Sequence, residues 1–199
     1  MLMQQCNVFP LGMLPLYIFE PRYRTMVKHA LEHDRMVCIG NLAPSEDEEA
    51  VESDDRISDF STLAVVRACV DNEDGTAHLV LQGMHRVKFI AWEQYEPFRI
   101  ARIAPLETSC RDAAGAATKS RQLLHRVLAL IPPDSDTGRQ LIAQLTKLDD
   151  PSHLVDFVAG NLIRDAGARH PLLTMSDVED RLDFLLDLVP VPSEKPGKS

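Results

Sequence analysis

Several signatures of covalent chemistry are missing from this 199-residue chain. It has no G-x-S-x-G elbow to raise a serine nucleophile, and its serines fall in loops and at helix starts. It has four cysteines, Cys6, Cys38, Cys69 and Cys110, with no C-x-x-C pair among them. That spread suits neither a disulfide framework nor a zinc knuckle. Two of the cysteines stand in apolar, strand-like runs, as small buried hydrophobes do. No apolar run approaches the roughly 20 residues that cross a bilayer, and no signal-peptide pattern opens the chain. A reducing cytoplasm is the expected location. No basic stripe is visible either, and phosphate contacts normally carry nucleic-acid affinity. The net charge is −9, and seven of the carboxylates crowd into residues 45–55 (SEDEEAVESDD), which contain no basic residue. The rest of the chain is therefore close to neutral, and the acidity reads as one solvated loop.

What is present is an ordinary globular composition, 45% hydrophobic and 26% charged, enough for a real core. The chain changes character near residue 107. Before it, short apolar runs alternate with turns. Pro10 and Pro15 keep residues 1–19 extended. Glu20-Pro21 opens a helix whose apolar stripe is Tyr23, Met26, Val27, Ala30 and Leu31. Strands are expected at 36–42, 62–70, 78–82, 86–92 and 98–104. Asp74-Gly75 marks a hairpin, and Gly83-Met84-His85 marks a further turn. Residues 62–70 are apolar on both faces apart from Arg67, as in a central strand.

After residue 107 the 3.6-residue period dominates. Helices are expected at 122–131, at 137–148 and from Pro151 to Ile163, the last capped by Asp150. Ser176-Asp177-Val178-Glu179 reads as a capping box for a final helix, which Pro190 and Pro192 end. Strands followed by helices argue an α+β fold. The expected division is a strand-rich subdomain at 1–107, a helical bundle at 108–192 and a disordered tail at 193–199.

Two motifs imitate chemistry. Pro196-Gly197-Lys198-Ser199 resembles the end of a phosphate-binding loop, but Pro192 stands where the first glycine belongs, and no helix start follows to supply the amides. His29-Ala30-Leu31-Glu32-His33 matches the H-x-x-E-H pattern of inverted zinc peptidases. Those side chains lie opposite the apolar stripe and should face water, and a third ligand is not apparent. No catalytic residue, metal or cofactor is expected.

The segment Asn7 to Val27, NVFPLGMLPLYIFEPRYRTMV, resembles the opening of the N-terminal, substrate-recognition domain of the Lon protease family. Phe9-Pro10, Leu14-Pro15-Leu16, Ile18-Phe19-Glu20 and Pro21-Arg22-Tyr23-Arg24 carry the likeness. Asp74-Gly75 with LVLQGMHR (79–86) is similar to the family's hairpin, with Val87 where phenylalanine is usual. PSHLVDFVAGNL (151–162), Leu172-Leu173 and VEDRL (178–182) resemble its helical stretch, with Thr174 in place of a common glutamate. Members usually carry one or two more hydrophobic residues before the position of Met1, so an earlier start is an open expectation. The resemblance implies a PUA-like β pseudo-barrel with one or two helices, followed by a helical bundle. It also implies capture of unfolded or damaged polypeptides and an adaptor role beside a separate protease in protein quality control. The family's ATPase and Ser-Lys peptidase parts would follow Ser199, so the expectation is a stand-alone, non-catalytic binding module.

For such a role the candidate peptide-binding residues are Phe9, Leu14, Phe19, Glu20, Arg22 and Arg86. A structural ion pair or helix-start carboxylate is the competing reading for Glu20, Arg22 and Arg86. The leucine and phenylalanine stripes of the later helices read as core rather than partner surface. Two rival functions stand beside the first: RNA binding, by analogy with PUA-like barrels, and a self-contained metallo- or serine peptidase.

Overall fold

A computed structural model describes residues 1–4, 7–42 and 56–192 of the chain. The acidic segment 45–55, Cys6 and the tail 193–199 with its glycine-lysine-serine ending lie outside the described residues. The fold is α+β, with six strands and six helices among the described residues. It divides into two compact units, 1–107 with 163–174, and 108–162 with 175–199.

The first unit is built on one mixed sheet. Its strands are β1 (Leu2–Gln4), β2 (Met13–Ile18), β3 (Met36–Leu42), β4 (Ile57–Asp71), β5 (Ala77–Gln94) and β6 (Ile100–Pro105). The order is β1-β3-β4-β5-β2, with β6 also paired to β5. Among the described strands, β1 and β3 pair in parallel and the other pairs are antiparallel. Helix α1 (Pro21–Glu32) turns Met26, Val27 and Ala30 into the core, with Tyr23 and Leu31 packed beside them. This is the stripe its sequence predicts. Ile18, Val37, Ile39, Val66, Leu79 and Leu81 supply the facing strand residues.

Residues 83–85 are not a turn. Strand β5 runs unbroken for 18 residues. Leu63 pairs with His85 and Ala64 with Gly83, so Met84 is the extra residue of a β-bulge. The bulge coincides with a change of neighbour: β2 pairs with β5 up to Gln82, and β6 takes over from Val87. Gly83 is required there because the 7–12 segment crosses it closely. Its amide donates to the Gly12 carbonyl and its own carbonyl accepts from Leu11. A Cβ at residue 83 would stand 2.2 Å from the Phe9 carbonyl oxygen.

A helix absent from the sequence reading, α5 (Ala166–Thr174), belongs to this unit. Arg86 reaches from β5 to its C-terminus, with Nε 3.2 Å from the Leu173 carbonyl and Nη2 3.5 Å from that of Leu172. A cation on the last carbonyls satisfies acceptors that the helix itself leaves open. Phe9 lies under Arg86 and Arg169, their guanidinium carbons 5.8 and 5.5 Å from its ring centroid.

The second unit contains α2 (Ala113–Leu130), α3 (Asp136–Leu145), α4 (Pro151–Asn161) and α6 (Val178–Leu188). Helix α2 starts well before the expected 122, where Asp112 caps the Ala114 amide. Asp150 caps α4, as its sequence indicates. Helices α2, α4 and α6 pack on one another. They bury Leu123 and Val127 from α2, Leu154, Val155 and Val158 from α4, and Leu182 and Leu185 from α6. The apolar stripes of these helices are core. The residue that caps α6 is Asp177, not Ser176. The Ser176 carbonyl is already engaged by the Ser109 amide. Glu179 does not fold back on its own helix but accepts from the Asp112 amide at 3.1 Å.

Candidate functional site

Alternation along β2 places Leu14, Leu16 and Ile18 inward and Met13, Pro15 and Tyr17 outward. In an antiparallel sheet with one wet face, the outward set is normally polar. Here it is not, and the apolar surface continues across two neighbouring strands. Register sets Pro15 beside Val80 and Val80 beside Ala68, then Tyr17 beside His78 and His78 beside Val70. Val70 is 62% exposed, Phe19 60%, Met13 55% and Tyr17 51%. The rings of Tyr17 and His78 lie 5.1 Å apart and those of Tyr17 and Phe19 6.2 Å apart. Leu11, at φ 67° and also exposed, lies two residues before the strand. Contiguous exposed apolar surface of this kind marks interaction sites in soluble domains.

Strand β2 ends the sheet order, and among the described residues no strand pairs with its outer side. Pro15 fits such a position, since a proline within a sheet is confined to places where no partner needs its missing N–H. The site thus combines an apolar face with a sheet edge that no other strand covers among the described residues.

The residues singled out in the sequence are spread over different environments. Phe19 is exposed and belongs to the patch. Leu14 is half-buried on the opposite, core-facing side of the same strand. Glu20 and Arg22 form an ion pair at the start of α1, 2.8 Å between Oε2 and Nη2, with Arg22 also over the Tyr23 ring. Phe9 is 1% exposed and Arg86 5%, both occupied in holding α5. The structure brings Phe9 and Arg86 together, but away from solvent.

The sequence points to the Phe9–Phe19 segment as groove but does not single out Met13 or Tyr17 within it, and it gives no sign of His78, Val80 or Val70. For the first two a signal was present: residues 13–19 are apolar at both parities, more than one buried face requires. Residues 62–70 are apolar on both faces apart from Arg67, which predicts a central strand. Strand β4 is central, between β3 and β5, yet its last turn of sheet leaves Ala68 and Val70 in solvent.

His29 and His33 lie on the exposed side of α1, rings 4.1 Å apart. Nδ1 of His33 lies 2.7 Å from the His29 carbonyl oxygen. Among the described residues, no group of three His, Cys, Asp or Glu side chains is placed to hold a metal. Nor is any helix among them long and apolar enough to cross a membrane. Burial pushes the Cys38 thiol above its usual range, away from the thiolate form a nucleophile needs.

Comparison with known proteins agrees with this architecture. Residues 2–190 match the sequence pattern of the ATP-dependent protease La (LON) substrate-binding domain. The Lon protease of Escherichia coli K12 is 22% identical over 183 residues, 92% of this chain and 23% of that protein. The Lon protease of Paraburkholderia phytofirmans is 34% identical over 139 residues, 68% of this chain and 17% of that protein. The chain thus spans less than a quarter of the length of these curated relatives. Among solved structures, the N-terminal domain of Mycobacterium avium complex Lon protease superposes with a TM-score of 0.75 at 16% identity, covering 95% of both chains. A Lon N-terminal domain protein from Xanthomonas campestris gives 0.64 at 18% identity, covering 95% of this chain and 97% of that one. With nearly its whole length matched, this chain belongs to the family of Lon substrate-binding domains.

Proposed function

We propose that this chain recognises polypeptide, capturing extended segments of unfolded or damaged protein on the outer face and free edge of β2. The exposed row Met13–Tyr17–Phe19, continued by Val80 and Val70, carries the reading. An extended segment laid along β2 gains backbone hydrogen bonds whatever its sequence, while its alternate side chains cover the apolar face. Folded proteins keep both features hidden, so the surface selects for unfolded chains. Membership in a substrate-binding family supports this role. In this reading the chain holds clients and makes no change to their peptide bonds. An adaptor role in protein quality control, presenting clients to a protease, follows from the same surface.

The test is a titration with a reduced, unfolded model protein and, separately, with its native form. Saturable binding of the unfolded form alone is expected. Negligible binding of both, or equal binding of both, overturns the proposal.

A further inference from the structure

A concavity in the first unit is lined by residues other than those of the β2 face. Its walls come from α1, β3, the second half of β5, residues 95–99 and β6, and its volume is about 540 Å³. None of Met13, Tyr17, Phe19, Val70 or Val80 lines it. That volume falls within the range of small-molecule sites, roughly 300–1,000 Å³. From these walls we propose a binding site for a small, neutral, planar aromatic molecule with a hydrogen-bonding edge.

Three observations point to that class of ligand. The first is the density of rings. Tyr23, Phe89, Trp92, Tyr95 and Phe98 all contribute to the walls. They meet as tilted pairs rather than as a filled stack: Phe89 and Trp92 at 4.9 Å and 37°, and His29 with Phe98 at 5.4 Å and 47°. An inserted ring adds further offset contacts of the same favourable kind. Met26 and Met36 line the same space, and thioether sulfur suits ring edges.

The second is charge balance. Arg22 and Arg99 face the cavity together with Asp34 and Glu96. Arg22 is paired with Glu20, and the Arg99 guanidinium lies over the Trp92 and Tyr95 rings at 5.1 and 5.0 Å. With the Met1 ammonium, which donates to the Cys38 carbonyl, and Glu20 counted, three cations against three anions leave no net field to draw in either a carboxylate or an ammonium. The third is a polar ring in the lining, that of His33. A carbonyl oxygen only accepts, so His33 Nδ1 donates to the His29 carbonyl. In the neutral ring Nε2 is then an acceptor, suited to an amide or ring N–H.

Trp92 is the chain's sole tryptophan, so emission excited at 295 nm reports directly from this wall. The full chain is titrated with benzamide, benzoate, benzamidine and cyclohexanecarboxamide, which separate charge from aromaticity on one skeleton. Benzamide is expected to give a saturable change in Trp92 emission, with each of the others binding about tenfold more weakly or less. Tyr95→Ala and His29→Ala, both at exposed positions, are expected to weaken benzamide by a similar factor with far-UV circular dichroism unchanged. Tyr17→Asp, on the other surface, is expected to leave it unaltered. No saturable change with benzamide overturns the assignment, as does equal binding of all four compounds. A tryptophan-free unfolded polypeptide that shifts Trp92 and competes with benzamide also overturns it, because the cavity is then part of the polypeptide surface. Unfolded protein that binds with Trp92 silent, beside a saturable benzamide response, supports two separate sites.

Discussion

Tyr17 and His78 stand directly opposite each other on β2 and β5, with ring centroids 5.1 Å apart on the solvent side of the sheet. The residues on either side of that pair, Ile18 and Leu16 on β2 and Ala77 and Leu79 on β5, point into the core or pack against it. One stretch of sheet therefore presents apolar side chains to both sides. Burial accounts for one side, and recognition is the proposed use of the other.

Replacing the outward residues should separate binding from folding. Tyr17→Asp combined with Val70→Asp is expected to weaken capture of an unfolded model protein at least tenfold. Its stability should change by no more than about 0.5 kcal/mol per site, as for surface positions generally. Binding isotherms and urea unfolding of the same samples check both halves.

In the second unit, Arg181 and Asp156 form an ion pair shut off from solvent, with Nη1 3.2 Å from Oδ1 and side chains 0% and 2% exposed. Further donors of Arg181 reach the Ser152 hydroxyl and the Ser176 carbonyl. Asp156→Ala strands the guanidinium and is expected to cost about 3–5 kcal/mol. The double replacement Asp156→Leu with Arg181→Met leaves no unpaired charge and is expected to recover most of that loss. Chemical denaturation of the three proteins decides it; a single variant as stable as the parent contradicts the account.

Asp177 links folding to pH. Burial works to raise its carboxyl, but hydrogen bonds from the Glu179 amide and the Ser109 hydroxyl, with Arg111 alongside, hold it below the ordinary aspartate range. A carboxyl lowered in the folded state adds stability above its unfolded value. That stability is lost as the pH falls from about 4 through the folded value. Asp177→Asn removes this titration while keeping a side chain that can cap the helix. The stability gap between parent and variant is expected to narrow between pH 7 and pH 3 in denaturant titrations.

Two glycines should respond differently to alanine. At Gly83 the added carbon meets the backbone of Phe9, its carbonyl oxygen at 2.2 Å and its carbonyl carbon at 3.0 Å. The 7–12 segment must then move, at about 1–3 kcal/mol. At Gly75 the added carbon meets the end of the Arg24 side chain, which can swing aside. The remaining cost there is the left-handed backbone, φ 76°, about 1 kcal/mol. Thermal unfolding of both variants should rank them in that order.

Much of the fold was legible in the chain. The α1 stripe, strand β3 at 36–42, the Asp74-Gly75 turn and the Asp150-Pro151 helix start each follow from periodicity or local backbone chemistry. Helix α5 was hidden because Pro171 interrupts it and its apolar period is weak. Its one local sign was Asp165, whose carboxylate accepts from the Ala168 amide. The bulge at Met84 read as a turn because Gly83-Met84-His85 has turn composition, and a close crossing demands glycine just as a turn does.

The sequence by itself determined the family, the α+β class and most helix starts, since these rest on ordered motifs, on spacing and on hydrogen bonds within a few residues. Tertiary structure alone decided which apolar residues are spent on the core and which remain on the surface. Phe9 and Tyr17 lie eight positions apart and look equally suited to either place in the string of letters. Strand pairing and the docking of α5 bury the first beneath two arginines and leave the second in water, because burial depends on which distant segments arrive to cover a residue.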